Sequence, residues 1–157
     1  MPMPDAKVLD RAFQSIMRRM VETGRAPHYT ELATAMGCAV EDGRQVLHAV
    51  TDTFLPGWLY PGTDYVASFA PFNNVPTQYR ISIAGQQKWF AQCGFEALAV
   101  TWLFPNQVVR IDAPCLDCNE PLVLEMRDGQ FLTLDPPRVI GHLNHPWTTV
   151  KEKLAFL

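Results

Sequence analysis

The chain has 157 residues, of which 48% are hydrophobic and 18% charged, and its net charge is −3. This length suits one compact domain or two small units and leaves no room in these residues for a large multidomain enzyme. The slightly acidic balance gives no electrostatic reason to expect nucleic acid or an anionic membrane as a partner. No basic segment followed by an apolar one opens the sequence, and no apolar run approaches the about 20 residues that cross a bilayer. We therefore expect a cytoplasmic protein without either partner.

The first third of the chain is predicted to form three short helices. Apolar residues recur at three- and four-residue spacing over Val8–Met20, which predicts an amphipathic helix ending near Gly24. A second helix is expected over Thr30–Met36, with the threonine as its amino-terminal cap, and a third over Val40–Thr53. This order of helices resembles a helix-turn-helix unit.

The third helix argues against DNA binding by that unit. It would be the helix that reads DNA, yet it carries Glu41, Asp42 and Asp52 against one basic residue, Arg44. Contact with phosphates depends on lysine and arginine, and an acidic helix would be repelled. We therefore expect the three helices to serve packing rather than DNA reading.

The rest of the chain is predicted to be mainly strands and loops. A hairpin is expected around Pro61–Asp64, and an apolar stretch bounded by Pro105 predicts a buried helix over about Cys93–Leu103. Asp128 and Gly129 form a dipeptide typical of tight hairpin turns. A turn is expected at 85–86, strands are predicted at 78–83, 108–111, 122–126 and 130–134, and a short helix is predicted at 148–157. Residues 88–91 are expected either to begin another strand or to lead into a helix.

These elements predict an α+β fold. An amino-terminal, winged-helix-like unit of three helices is expected to pack on a small antiparallel or mixed β-sheet that carries the buried helix. We place the domain boundary so that residues 1–66 form the helical unit and residues 67–157 form the core with the sheet.

Cys93 and Glu96 are the first candidate site residues. The cysteine is expected at the first turn of the apolar helix, where backbone N–H groups and the helix dipole favour the thiolate. A spacing of three residues puts the carboxyl of Glu96 on the same face of that helix. The pair therefore fits a soft nucleophile or metal ligand beside a proton donor. It also fits a buried cysteine followed by a routine capping glutamate.

Cys115 and Cys118 form a Cys-x-x-Cys pair. One such pair is half of a tetrahedral zinc site or a redox couple. A thioredoxin-type redox role requires a junction between a strand and a helix, whereas this pair is predicted between two strands. The further ligands of a complete metal site would have to come from Cys38, Cys93, His142 or His145, although the histidines also fit an exposed loop.

Several segments follow one another in a recognisable order. They are the aromatic-Ala-Pro-Phe sequence at 69–72, the Pro-Thr-x-x-Arg sequence at 76–80, and a Cys-x-x-carboxyl motif at 93–96. Cys115 then precedes Pro121 at the spacing of a Cys-x-x-Thr-Gly-x-Pro segment, with Cys118 in the threonine position. In order and spacing they resemble the organomercurial (alkylmercury) lyase family, over roughly residues 5–135.

The resemblance implies protonolysis of a carbon–mercury bond, in which two thiolates bind mercury and a carboxylic acid protonates the departing carbon. By position, Cys93 matches the first catalytic cysteine of the family and Glu96 matches its catalytic aspartate. Cys115 matches a cysteine that the family keeps for structure. The family's second catalytic cysteine comes from a later strand, and no cysteine follows Cys118 in this sequence. Either Cys115, Cys118 or a histidine supplies the second ligand, or the activity is lost.

Three functions therefore remain open at the level of sequence. We predict an alkylmercury-lyase-like protein whose cysteine pocket binds a thiophilic metal or organometal, with Cys93 and Glu96 as catalytic residues. The alternatives are a non-catalytic module that binds Zn, Cu or Hg, and a degenerate scaffold that acts through protein contacts. A homodimer also remains open. The residues predicted as metal ligands are Cys93, Cys115, Cys118, His142 and His145.

Overall fold

The computed structural model describes residues 4–53 and 57–142. Helices and antiparallel strands are both present in these residues, so the predicted α+β class is confirmed. The chain divides into two compact units, one ending at Phe69 and the other beginning at Ala70. The helix predicted at 148–157 and the candidate ligand His145 lie outside the described residues. No helix in the described ranges is long and apolar enough to cross a membrane.

The first unit contains three helices close to the predicted bounds. Helix α1 spans Ala6–Thr23, α2 spans Tyr29–Met36 and α3 spans Val40–Thr53. Helix α1 ends, as predicted, at Gly24, whose φ of 74° is a left-handed conformation that glycine adopts readily. The spacing of apolar residues therefore predicted correctly which faces of the helices are buried. Those faces bury Leu9, Ile16, Met20, Leu32, Leu47 and Val50.

The start of α2 differs from the prediction. Thr30 was expected to cap this helix, but the capping residue is His28. Its ring nitrogen accepts the N–H of Thr30, and the carboxylate of Glu31 accepts the N–H of His28 at 2.9 Å. The prediction was wrong because histidine is an uncommon cap, whereas threonine is a favoured one.

Gly43 marks a close contact between α2 and α3. A Cβ atom at this position would lie 2.5 Å from the Cβ of Ala33 and 2.8 Å from the carbonyl oxygen of Tyr29. We expect Gly43→Ala to lower the free energy of unfolding by about 1–3 kcal/mol, because the helices must separate. Urea denaturation measures this, with Gln45→Ala as a control on the same helix. Helix propensity alone would make alanine more favourable than glycine at this position. A Gly43→Ala variant as stable as the wild type would therefore contradict the close contact between the helices.

The first unit ends in the predicted hairpin, with strand β1 at Gly57–Leu59 and β2 at Val66–Phe69. The connecting segment is joined to α3 through Asp64. This carboxylate contacts His48 Nε2 at 2.6 Å and Arg44 Nε at 3.0 Å. Hydrogen bonds from His48 and Arg44 lower the pKa of Asp64. His48 and Arg44 thus fix the hairpin to the helix.

The second unit is built on an antiparallel sheet. Its strand order is β3-β5-β4-β6-β7-β8, and the predicted strands and hairpins are all present. The turn expected at 85–86 lies one residue earlier, at Ala84 and Gly85, where both φ angles are positive. Asp128 and Gly129 form the second such turn, as predicted. The strands are β3 Phe72–Asn73, β4 Arg80–Ile83, β5 Gln86–Ala91, β6 Val109–Pro114, β7 Pro121–Arg127 and β8 Gln130–Asp135.

One helical segment follows β5. Helix α4 spans Gly94–Ala99 and continues as a 3₁₀ helix over Val100–Leu103, which matches the predicted extent. The expected burial is only partly correct. Ala97 is buried, but Phe95 is 50% exposed and Trp102 is 76% exposed. An apolar composition predicts burial on all sides, whereas this short segment buries only one stripe.

Candidate functional site

Cys93 lies at the junction between β5 and α4. It is the residue that precedes the helix, its backbone is extended, and its carbonyl oxygen accepts the N–H of Ala97 at 2.9 Å. The thiol is half-buried and free of any disulfide. The junction therefore presents a sulfur atom at the first turn of a helix, as the sequence predicted.

Two segments hold the end of β5 just before this cysteine. The hydroxyl of Thr77 donates to the carbonyl of Ala91 at 2.7 Å. The N–H of Gln92 donates to the carbonyl of Pro71 at 3.1 Å. These contacts join residues 14 and 21 positions apart, so the two short segments around Pro71 and Thr77 fix the backbone on which Cys93 is carried.

Tyr79 lies beside the start of α4, a position that its place in a predicted strand and in the segment at 76–80 did not indicate. Its ring lies against the start of α4, because a Cβ atom on Gly94 would be 3.4 Å from the ring's Cε1 atom. Its carbonyl also accepts the N–H of Ala91 at 3.0 Å. The glycine beside Cys93 therefore gives the aromatic ring room to cover the helix terminus.

Glu96 is hydrogen-bonded to Cys93 through both the thiol and the backbone N–H. Burial of the carboxyl raises the pKa of Glu96 to about 7, and these hydrogen bonds oppose the rise only in part. Near neutral pH the carboxyl is therefore divided between its protonated and ionised forms. A group of this kind can both accept and donate a proton at neutral pH.

The protonation of Cys93 corrects one expectation. The helix terminus was expected to favour the thiolate, but the pKa of Cys93 is raised. Burial is the larger cause and the negative charge of Glu96 the second, while N–H groups of Glu96 and Phe95 act in the opposite direction. Burial and the neighbouring carboxylate outweigh the helix terminus, so the resting group at neutral pH is the thiol.

The raised pKa of Glu96 predicts a pH-dependent stability. The folded state binds the proton more tightly than the unfolded state, whose carboxyl has the ordinary value of 4.5. The stabilisation is therefore complete below pH 4.5 and is lost as the pH rises through about 7. Since the carboxyl is only partly buried, we expect the wild type to lose about 2 kcal/mol relative to Glu96→Gln over this range. Urea denaturation at several pH values measures the difference, and Glu22→Gln on α1 serves as the control. Parallel pH profiles for wild type and Glu96→Gln would contradict it.

Cys115 and Cys118 lie in a tight loop between β6 and β7, as predicted. Pro114 and Pro121 are paired at the base of this loop. The N–H of Cys115 donates to Glu120 at 2.8 Å, and the N–H of residue 119 donates back to Cys115 at 2.9 Å. This asparagine has a φ of 61°, a left-handed conformation that asparagine tolerates better than most residues.

The loop directs donors at one sulfur atom. The backbone N–H groups of Cys118 and Asp117, together with the thiol of Cys118, donate to the sulfur of Cys115 and lower its pKa. Sequence reasoning had given Cys115 a structural role by resemblance. The direction of these N–H groups depends on the conformation of the turn, so spacing alone did not reveal it.

These opposite pKa shifts predict an order of reactivity. At pH 7 we expect iodoacetamide to alkylate Cys115 about ten times faster than Cys93, because the thiolate is the reacting form. Mass spectrometry of peptides after timed quenching measures both rates in one sample. Faster alkylation of Cys93 would contradict the expectation.

Cys93 and Cys115 leave the sheet at the same end. Strand β4 lies between β5 and β6, and Arg80 is opposite both Phe90 and Asp112. Cys93 comes three residues after Phe90, and Cys115 comes three residues after Asp112. Because neighbouring strands are separated by about 4.8 Å, the two strand ends lie about 10 Å apart. Thiolates that share one ion must be within about 5 Å of each other, so the strands themselves do not bring this pair together.

Cys38 and His142 are the other candidate ligands that lie in the described residues. Cys38 is half-buried, and its thiol donates to the carbonyl of Ala33 at 3.8 Å. His142 is exposed and follows Gly141, where an added Cβ would lie 3.0 Å from the ring of Phe95. Within 4–53 and 57–142, no three His, Cys, Asp or Glu side chains are grouped so that they could hold a metal ion. His145 lies outside these residues, so the predicted ligand set stays a prediction.

Comparison with known proteins decides the family. The family model described as "MerB: Alkylmercury lyase" matches residues 72–154, which is more than half of the chain. The chain belongs to the alkylmercury lyase family. The match includes Cys93, Glu96, Cys115 and Cys118, so all four lie in the family's own sequence region.

A solved structure has a similar fold. The chain is similar to a protein described as the mercury-bound form of MerB2, with a TM-score of 0.65 and 17% identity. The alignment covers 85% of this chain and 62% of that one, so this alkylmercury lyase family chain spans under two thirds of that protein. No curated protein matches the chain. The predicted resemblance is confirmed at the level of family and fold.

Proposed function

We propose that the protein cleaves the carbon–mercury bond of a small organomercury compound, using Cys93 and Glu96. The supporting observation is a partly buried carboxyl with a pKa of about 7 hydrogen-bonded to a half-buried thiol. A proton donor beside a soft ligand is what protonolysis requires. We place this activity in the cytoplasm, with no role for nucleic acid or membrane.

The first step binds the substrate to sulfur. The ionised form of Glu96 takes the proton of the Cys93 thiol, and the sulfur displaces a weak ligand from mercury. This forms a mercury–sulfur bond and leaves the carboxyl protonated. The raised pKa of Cys93 favours this order, because the thiol keeps its proton until mercury arrives.

The second step breaks the carbon–mercury bond. A second thiolate binds mercury and weakens its bond to carbon. The electron pair of that bond takes the proton from Glu96, so that hydrocarbon leaves and the carboxylate is restored. The products are one hydrocarbon and mercury held by two sulfur atoms, and no oxidant or reductant is consumed.

We assign the second thiolate to a thiol dissolved in the surrounding medium. The strand ends that carry Cys93 and Cys115 are about 10 Å apart, so the pairing of the strands does not by itself place both sulfur atoms on one mercury ion. Cys115→Ser distinguishes the sources. It should leave the rate unchanged in excess thiol if the second thiolate comes from solution.

Release of benzene from phenylmercury tests the proposal. The purified wild-type chain is incubated with phenylmercury acetate and excess cysteine, and benzene in the headspace is measured by gas chromatography. We expect several molecules of benzene per chain, with Cys38→Ser equal to the wild type. Benzene at the level of the protein-free mixture would contradict the proposal.

A further inference from the structure

We propose that the loop of Cys115 and Cys118 is a separate binding site for a soft cation that prefers two thiolate ligands, of which Hg²⁺ is the example. The site is distinct from Cys93 and Glu96. Its use for mercury produced by the chain itself rests on the proposed function, whereas its affinity for added Hg²⁺ does not.

The two cysteines lie three positions apart in one tight turn, which the N–H of Asn119 closes by donating to the carbonyl of Cys115 at 2.9 Å. This turn carries both sulfur atoms on one short loop, and neither cysteine forms a disulfide. Two metal–sulfur bonds of about 2.3 Å span at most about 4.6 Å, so a small rotation of one side chain admits an ion between the sulfurs. The exposed position of Cys118 leaves a path for that ion.

The backbone of the loop is fixed in a conformation that suits bound metal. The N–H of Cys115 donates to the carbonyl of Glu120 and joins the two ends of this six-residue loop, and the N–H of Asn119 donates back to the carbonyl of Cys115. The paired Pro114 and Pro121 hold its base. The N–H groups of Asp117 and Cys118 point at the sulfur of Cys115. Such donors stabilise the negative charge that remains on a metal-bound thiolate.

The number of ligands selects the ion. Zinc in a structural site requires four ligands, and the described residues group no third His, Cys, Asp or Glu with this pair. Soft ions that are satisfied by two thiolates have no such requirement. The loop therefore fits Hg²⁺ better than Zn²⁺.

The position of the loop suits transfer from the proposed catalytic cysteine. Both β5 and β6 run to the same end of the sheet, where Cys93 and the loop follow them. Transfer is a ligand exchange in which two mercury–sulfur bonds break and two form. The protons of the two loop thiols pass to the departing thiols, so charge and atoms balance.

A variant that retains only the loop cysteines tests the site. Cys38→Ser and Cys93→Ser are combined, and the chain is titrated with mercuric chloride in a tenfold excess of free cysteine. Native mass spectrometry counts the bound ions. We expect one Hg²⁺ per chain, and binding at least about 10² times weaker when Cys118→Ser is added, because a chelate becomes a single ligand.

The outcomes separate this site from the proposed activity. Retention of Hg²⁺ that is unchanged by Cys118→Ser, or no retention against free cysteine, would overturn the proposal. Equal retention of Zn²⁺ would also overturn it, since two ligands would then satisfy a tetrahedral ion. The tested chain lacks Cys93 and cannot carry out the proposed protonolysis, so failure of either proposal leaves the other intact.

Discussion

Glu96→Gln is expected to lower the rate of benzene release from phenylmercury by about 10²- to 10⁴-fold, the range by which a positioned acid accelerates a reaction. The amide keeps the size of the side chain but has no acidic proton for the departing carbon. Glu96→Asp keeps the carboxyl that the family resemblance assigns to this position and is the matched control. It should retain more activity than Glu96→Gln.

The role of Glu96 also predicts how the rate of benzene release changes with pH. The first step needs the ionised carboxyl of Glu96 to take the proton of the Cys93 thiol, and the same proton is then delivered to carbon. The wild-type rate should therefore rise as the pH rises through about 7, where this carboxyl ionises. Each rate is measured with excess thiol, which keeps the second thiolate from limiting the reaction. A wild-type rate that falls as the pH rises through about 7, or a Glu96→Gln variant as fast as the wild type, would contradict the role of this carboxyl.

Cys93→Ser is expected to reduce benzene release to the background of the protein-free mixture. A hydroxyl is a hard ligand with little affinity for mercury, so the first mercury–sulfur bond cannot form at this position. Serine differs from cysteine by one atom, and the half-buried site should accept it without loss of fold. Circular dichroism and urea denaturation check the fold of the variant.

Cys38→Ser is the matched control for this loss. Cys38 is half-buried like Cys93 but lies after α2, in the first unit. It should keep the wild-type rate. Loss of activity in both variants to the same degree would contradict a specific role for Cys93 and point instead to a general effect of removing thiols.

Much of the fold was predictable because its signals are local. The apolar spacing of α1 and α3 gave their bounds closely, and Gly24 and Gly129 marked a helix end and a turn. These features depend on a few neighbouring residues, which the sequence displays directly. The cap formed by His28 was missed because it is a local signal in an uncommon residue type.

The electrostatics of the site was less predictable because it depends on residues brought together by folding. The spacing of Cys93 and Glu96 placed them together correctly, but it also suggested a thiolate. Burial and the carboxylate reverse that expectation, and neither the burial nor its extent can be read from three residues. The donors at Cys115 depend on the turn conformation in the same way.

The support of the site by distant segments is the other feature that spacing cannot give. Thr77 and Pro71 bond to the end of β5 from positions 14 and 21 residues away. Their short motifs indicated the family, but not their contacts. Only the folded chain shows that these segments fix the strand end on which Cys93 is carried.

Protonolysis in D₂O tests the pairing of Cys93 with Glu96 most directly. Wild type, Cys93→Ser and Glu96→Gln are each incubated with phenylmercury acetate and excess thiol, and the benzene is analysed by gas chromatography with mass detection. We predict monodeuterated benzene from the wild type in amounts that exceed the protein, and background amounts from both variants. Equal amounts of benzene from all three chains, or none from the wild type, would contradict the role assigned to this pair.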